Sequence, residues 1–257
     1  MKTKPKPIEI LDEETGRLWQ VPRKRVQSVF ADVSERWVAN VLVPEEVCRD
    51  LVKAPFLEPV PVRGRYVLSL CAIFMRSAAP DWAPLKIGPA SRNCALRVAC
   101  RDVRDGSDAV WVDHRYSDSV LVEALSKLGF PAVHAKLEVD LDRDFYGRRK
   151  VEMRTKDHLV DLRLIEYPDL KRLRSDVFES ALEFENYFGA GVRSYGPGAT
   201  EHTVTIVDLH KLHGNHFEAM GRYFGRLYTP MGNWTVDSVY RTRNGLYEWR
   251  YEGNVAY

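Results

Sequence analysis

His210, His213 and His216 follow one another at three-residue spacing, with His202 and Glu218 close by. Residues three apart on a helix share a face, and imidazoles beside a carboxylate are metal ligands. Gly214-Asn215 interrupts the run with a turn signal, however, and no H-E-x-x-H arrangement is present. These histidines therefore read as surface or loop residues, and no metal is expected. Gly189-Ala190-Gly191 and Tyr195-Gly196-Pro197-Gly198 would let a ligand approach the backbone closely. Neither has the strand–G-x-G-x-x-G–helix or G-x-x-x-x-G-K-[ST] layout that cradles phosphates, so they read as turns and no cofactor is expected. Arg193, between them, is a guanidinium in an apolar, glycine-rich passage and a candidate anchor for a carboxylate. No G-x-S-x-G elbow occurs, and Ser117 and Ser119 are better placed as helix caps.

Two lysines have sequence surroundings that could make them chemical. Lys127 lies late in a predicted helix, where a positive charge suits the negative helix end. Lys136 lies in the apolar-alternating strand that follows. Burial lowers a lysine pKa and frees the amine for Schiff-base chemistry. The competing reading is that both are ordinary solvated lysines. Arg143 to Arg154 carries charges of both signs and reads as a solvated hairpin tip.

The elements that must position these residues are mostly strands. Ile8 to Val21 reads as a hairpin turned at Glu13-Glu14-Thr15-Gly16, after a basic tail at residues 1–8. Trp37 to Val43 is apolar and ends at Pro44-Glu45-Glu46, a helix start, because proline suits the first turn and acids favour the positive helix end. Tyr66 to Met75 is nearly continuous in apolar residues and reads as a buried strand. Asn93–Val103 and Ala109–His114 are two more, joined at Asp105-Gly106-Ser107-Asp108. Ser117 to Leu128 is a capped helix with a left-handed exit at Gly129 and a stop at Pro131. Strands follow at His134–Leu141, Lys150–Arg154, Leu159–Glu166 and His202–Leu209. Val177–Phe188 is either helix or extended edge, and His216–Leu227 is expected to be helical. Trp234–Arg241 and Leu246–Tyr251 read as a final hairpin turned at Arg243-Asn244-Gly245.

Composition sets the outer limits. The chain has 257 residues, 38 Lys plus Arg against 36 Asp plus Glu, and 45% hydrophobic residues. That is enough for a sizeable core, and the near-neutral charge removes the simplest argument for nucleic-acid binding. No apolar run approaches the roughly 20 residues of a membrane helix. Cys48, Cys71, Cys94 and Cys100 form no C-x-x-C pair and read as free core cysteines, with Cys94 and Cys100 sharing a strand face. With no signal-peptide pattern in Met1–Pro7, a cytoplasmic setting is expected. With no linker or repeat, roughly ten short strands and a few helices predict one α+β, mainly β domain over residues 1–257. A curved antiparallel sheet, closed as a barrel or sandwich, is the natural closure.

The order of these elements resembles the acetoacetate decarboxylase superfamily. The resemblance covers residues 35–165 and is most specific at Leu128-Gly129-Phe130-Pro131, the turn after the capped helix. It implies a cone-like antiparallel β structure around an internal small-molecule pocket. In that family the turn continues with a lysine pair, the first of which forms the Schiff base. Here those positions are Ala132 and Val133. The family's pocket glutamate falls in Pro89-Ala90-Ser91-Arg92-Asn93, which has no acid. The resemblance thus implies the scaffold and a pocket for a small organic acid or carbonyl compound, without simple transfer of decarboxylation. The candidate catalytic residues are Glu123, Lys127 and Lys136, a relocated lysine being the alternative nucleophile of a lyase-type enzyme. The candidate substrate-binding residues are Arg92, His134 and Arg193. His134 and Lys136 share a strand face by the period of two. A structural role, with the pocket filled by the six tryptophans, is the non-catalytic alternative. An exposed apolar edge would allow a homo-oligomer; no nucleic-acid or membrane partner is expected.

Overall fold

A computed structural model describes residues 8–11, 18–21, 26–84, 88–122, 134–143, 145–155, 160–167, 175–189, 193–198, 202–219 and 222–257. The chain opens with a small antiparallel pair, β1 (Ile8–Leu11) and β2 (Leu18–Val21), the hairpin expected there. The long strand β3 (Ser28–Val43) then leads through Pro44 into α1 (Glu45–Leu51). Glu45 and Glu46 occupy the first turn of α1, and Val47, Cys48 and Leu51 are buried beneath it. The short strand β4 (Leu57–Pro59) precedes β5 (Tyr66–Pro80), β6 (Ser91–Asp102) and β7 (Asp108–Ser117).

After residues 118–133 come β8 (His134–Arg143), β9 (Arg149–Thr155) and β10 (Asp161–Tyr167). Next are α2 (Ala181–Gly189), β11 (Arg193–Pro197), β12 (Thr203–His213) and β13 (Glu218–Ala219). The last two strands are β14 (Arg222–Thr229) and β15 (Gly232–Ala256). Thus 177–188 resolves as helix in its second half. No helix among the described residues is long and apolar enough to cross a membrane.

All strands after β2 join one thirteen-stranded sheet. Its order is β12-β11-β7-β8-β9-β10-β14-β15-β3-β5-β6-β4, with β13 on β15. Two further pairings, β6 with β7 and β12 with β15, close it into rings of hydrogen bonds. The mainly β, closed architecture is as expected, but the sheet is mixed, because β7 runs parallel to both β8 and β11. Parallel neighbours need a long crossover. Residues 118–133 supply one between β7 and β8, and it opens with a helical turn at 120–122 in which the Ser119 hydroxyl accepts from the Val122 amide at 3.3 Å.

Two sequence expectations fail here. Residues 216–227 are not helical but form β13 and β14. Phe224, Arg226 and Tyr228 are exposed while Leu227 is buried, and the strand pairs with β10, so tertiary pairing overrides the helical reading. The final hairpin is a single 25-residue strand. Asn244 does adopt a left-handed conformation, φ 51°, but the chain does not turn there: it stands opposite Ser34, and β15 pairs with β3 in the same register on both sides, Arg243 with Glu35 and Gly245 with Val33.

The sheet buries a core on each face. Trp37, Ala39 and Val41 of β3, Leu68 and Leu70 of β5, and Cys94, Leu96, Val98 and Cys100 of β6 face the larger one, with Met153, Leu162 and Leu227 from the closing strands. Val38, Val67, Cys71, Ile73 and Ala95 face the other, covered by Phe178, Phe184 and Phe188 of α2 and the segment before it. All four cysteines are free and buried. The Asp102 carboxylate accepts from the Tyr195 hydroxyl at 2.8 Å and from Arg104 at 2.6 and 2.9 Å, which ties the β6–β7 turn to β11.

Candidate functional site

Two bulges sit on neighbouring strands, at Ser34 on β3 and Arg76 on β5, and Asn244 of β15 stands opposite Ser34. Each bulge lets one residue escape the ladder, which inverts the odd–even facing of the strand beyond it. On β3, Ala31 and Val33 face the α2 side, whereas Trp37 and Ala39 face the larger core. The inversion sends Glu35 to the larger-core side and Arg36 to the other. The Ser34 hydroxyl donates to the Phe74 carbonyl at 3.0 Å, and Arg76 bridges Asp32 and the Asn244 side chain, which pins the kink.

Beside this kink lies a cleft of about 840 Å³. Glu35 lines it from β3, Phe74 from β5, Arg92 from β6, Arg149 from β9, and Arg243 from β15, with Asp118 just past β7. Glu35 is the electrostatic centre. One carboxylate oxygen accepts from the Trp37 indole and from the Arg149 guanidinium, both at 3.2 Å. The other faces Arg243 at 3.6 Å and Arg241 at 4.0 Å. The Arg149 guanidinium also lies over the Trp37 ring at 4.5 Å, and Trp37 meets Phe74 at 5.9 Å. Arg92 is held differently. Its backbone amide donates to Asp118 at 2.7 Å, but its guanidinium reaches that carboxylate only at 3.9 Å. Most of the donor fork of Arg92 is therefore left for another acceptor.

The sequence-derived candidates scatter. Arg92 lines the cleft. Arg193 lies on β11, where Asp208 of β12 accepts from it at 3.1 and 3.3 Å; this pairing raises its pKa against a smaller opposing effect of burial. Lys136 is exposed on β8, 3.9 Å from Glu138, and does not line the cleft. His134 starts β8, paired through its backbone with Arg115. Glu123, Lys127, Ala132 and Val133 lie outside the described residues, as does the Gly129-Phe130-Pro131 turn. Of the histidine run, His210 and His213 are on β12 and His216 pairs with Glu185 at 3.0 Å. Among the described residues no group of three His, Cys, Asp or Glu side chains gathers to hold a metal.

Glu35, Arg149 and Arg243 were not among the candidates. A signal for the first was present, because Glu35-Arg36 is a charged pair set at the head of the mostly apolar run Trp37 to Val43.

A mainly β sheet closed into rings, with short helices on its outside and a cleft beside its kinked strands, defines the acetoacetate decarboxylase-like fold. Solved structures similar to this chain include acetoacetate decarboxylase from Legionella pneumophila subsp. pneumophila str. Philadelphia 1, at TM-score 0.60 and 10% identity, with 93% of this chain and 91% of that one covered. An acetoacetate decarboxylase-like enzyme from Sphingomonas wittichii RW1 superposes at TM-score 0.54 and 12% identity, over 89% and 92% of the two chains. The enduracididine biosynthesis enzyme MppR, complexed with pyruvate, does so at TM-score 0.54 and 11% identity, over 97% of each. No protein-family model matches the sequence, and no curated relative does. The likeness read from residues 35–165 thus holds for the fold and extends over nearly the whole chain.

Proposed function

We propose that this protein binds a small organic acid, of the oxo-acid or carbonyl-bearing kind, in the Glu35–Arg92 cleft, and does so without forming an imine there. The observation that carries the reading is the uneven pairing of the guanidinium groups lining the cleft. Arg149 and Arg243 are engaged by Glu35, whereas Arg92 has only a loose contact with Asp118. A ligand carboxylate would complete the fork of Arg92 with charge-assisted hydrogen bonds. Phe74, beside it, offers an apolar wall for the carbon skeleton. None of the described lining residues is a lysine, and the resemblance implies that Ala132 and Val133 take the positions of the family's lysine pair. MppR, which shares the fold, is seen with pyruvate, and this supports the ligand class.

Calorimetric titration with pyruvate and a panel of 2- and 3-oxo acids tests the reading. Binding is expected, and Arg92→Ala is expected to weaken it about tenfold or more, the worth of a charge-assisted hydrogen bond. Equal affinity in the variant would remove Arg92 from the site. A borohydride-stable adduct on any lysine would overturn the non-imine reading.

A further inference from the structure

The face of the sheet turned away from the cleft carries a second basic cluster. Arg36 on β3, Cys71 on β5, Arg97 on β6 and Arg115 on β7 stand one per adjacent strand. The register places them on one face: Val38 pairs with Cys71, Ser69 with Arg97 and Ala95 with Arg115. A register shift between Ala95 and Arg97 turns Arg115 to this side. Arg36 is only 9% exposed; its Nε donates to the Cys71 sulfur at 3.4 Å, and its guanidinium lies 5.3 Å from the Phe217 ring and 6.0 Å from that of Tyr247.

No carboxylate among the described residues neutralises Arg36 or Arg97. The Nε of Arg97 is buried and has no hydrogen-bond partner. Burying a guanidinium without a counter-charge is costly, and leaving one of its donors empty adds to that cost. The field of the pair is felt at Cys71. Burial pushes that thiol up, but Arg97 and Arg36 outweigh it and hold it below its usual value. Burial, reinforced by Arg97, depresses Arg115 to about 10. The cluster is not sealed, because Arg97 and Arg115 are partly exposed while Arg36 and Cys71 are closed over. Planar forks converging from neighbouring strands suit a tetrahedral oxyanion, which offers several acceptor oxygens at once.

We propose that Arg36 and Arg97, with Arg115 at the rim, form a second ligand site on the α2 side of the sheet that takes a small tetrahedral oxyanion of the phosphate type. The bound anion completes the empty Arg97 donor and neutralises the charge that now acts on Cys71. The Cys71 thiol therefore loses the stabilisation of its thiolate, and its pKa rises, when the anion binds. This site is separate from the cleft and does not rest on the oxo-acid reading.

Inorganic phosphate is the probe, titrated against sodium chloride at matched ionic strength, with thermal stability and iodoacetamide labelling of Cys71 as readouts. Millimolar phosphate is expected to raise the melting temperature and slow Cys71 labelling. Arg97→Met is expected to abolish both effects, and Arg92→Ala, in the cleft, to leave both intact. If Arg97→Met does not fold, Arg97→Lys, which keeps the charge but loses the fork, is expected to weaken phosphate about tenfold. Phosphate that acts no differently from chloride overturns the proposal, as does phosphate affinity unchanged in Arg97→Lys. An effect lost in Arg92→Ala but kept in the Arg97 variants overturns it by moving the anion to the cleft.

Discussion

The two faces of the β3–β5–β6 sheet each hold a group of arginines, and the groups are balanced in opposite ways. On the cleft side, Arg149, Arg241 and Arg243 converge on one carboxylate, Glu35, which also takes the Trp37 indole proton. On the α2 side, Arg36 and Arg97 have a thiol and the Tyr247 phenol beside them, and no carboxylate among the described residues. Two adjacent residues, Glu35 and Arg36, reach opposite faces by strand alternation, and the Ser34 bulge decides which face each takes; they set this contrast. The cleft-side network is centred on a carboxylate, although the Arg241 Nε stays buried without a partner, and it leaves Arg92 loosely held. The α2-side cluster has no carboxylate at its centre among the described residues, and its unpartnered donor, the Arg97 Nε, lies within it. An internal carboxylate makes a scaffold, whereas a missing one marks where a ligand's charge is useful.

The largest test removes the cover from one face only. Phe184 is fully buried, stacks on Tyr240 at 3.9 Å, and meets Phe217, the ring over Arg36, at 5.3 Å. Phe184→Ala is expected to cost about 3–5 kcal/mol in denaturant unfolding, the usual range for emptying a buried aromatic site. Cys71 labelling should accelerate while oxo-acid affinity in the cleft stays unchanged. A parallel loss of cleft affinity would show that the faces are one cooperative unit.

Glu35→Gln acts on the other face. It keeps the shape and removes the charge shared by the arginines. Since the Glu35 side chain is 18% exposed, solvent compensates little, and a loss of about 1.5–3 kcal/mol is expected, as for other hydrogen bonds to charged groups. Thermal unfolding would show this as a fall of several degrees. A stability unchanged by Glu35→Gln would erase the contrast between the two faces.

The parts of this arrangement that follow regular periodicity were legible in the sequence. Leu68, Leu70 and Ala72 face one core, and Val67, Cys71 and Ile73 the other, as an uninterrupted strand requires. Cys94 and Cys100 do share a face. What was hidden depends on register. The Ser34 and Arg76 bulges have no single-residue signature in the sequence, and each reverses which face the later residues reach. Arg243-Asn244-Gly245 has the composition of a hairpin turn, yet β3 pairs along both sides of it and holds the chain extended. Arg149 and Arg243 reach the cleft from strands more than a hundred residues beyond Glu35, a juxtaposition that only sheet closure creates. Arg92, which lines the cleft, lies in the stretch 89–93 where the resemblance implied an acid.

The smallest expected effect isolates the charge on the α2 side by pH. Cys48 and Cys100 face the larger core, and burial pushes each thiol up to about 12. Cys71 is as deeply buried, 1% exposed, but its thiol sits below the ordinary value because Arg97 and Arg36 favour the thiolate over the effect of burial. A group whose folded pKa is depressed contributes stability that is present above its unfolded pKa and lost as pH falls through its folded one. For a thiol the unfolded value is about 8.5. The wild-type protein should therefore gain stability over Cys71→Ser as pH rises toward and just above that value, and the gain should vanish at lower pH. Cys100→Ser has the opposite sign, because its folded thiol is raised: wild-type stability relative to that variant declines as pH climbs past the unfolded value. Paired chemical denaturation of the two variants across this range reads both slopes. Slopes of the same sign would mean that the arginines do not act on Cys71, and the difference between the faces would reduce to burial alone.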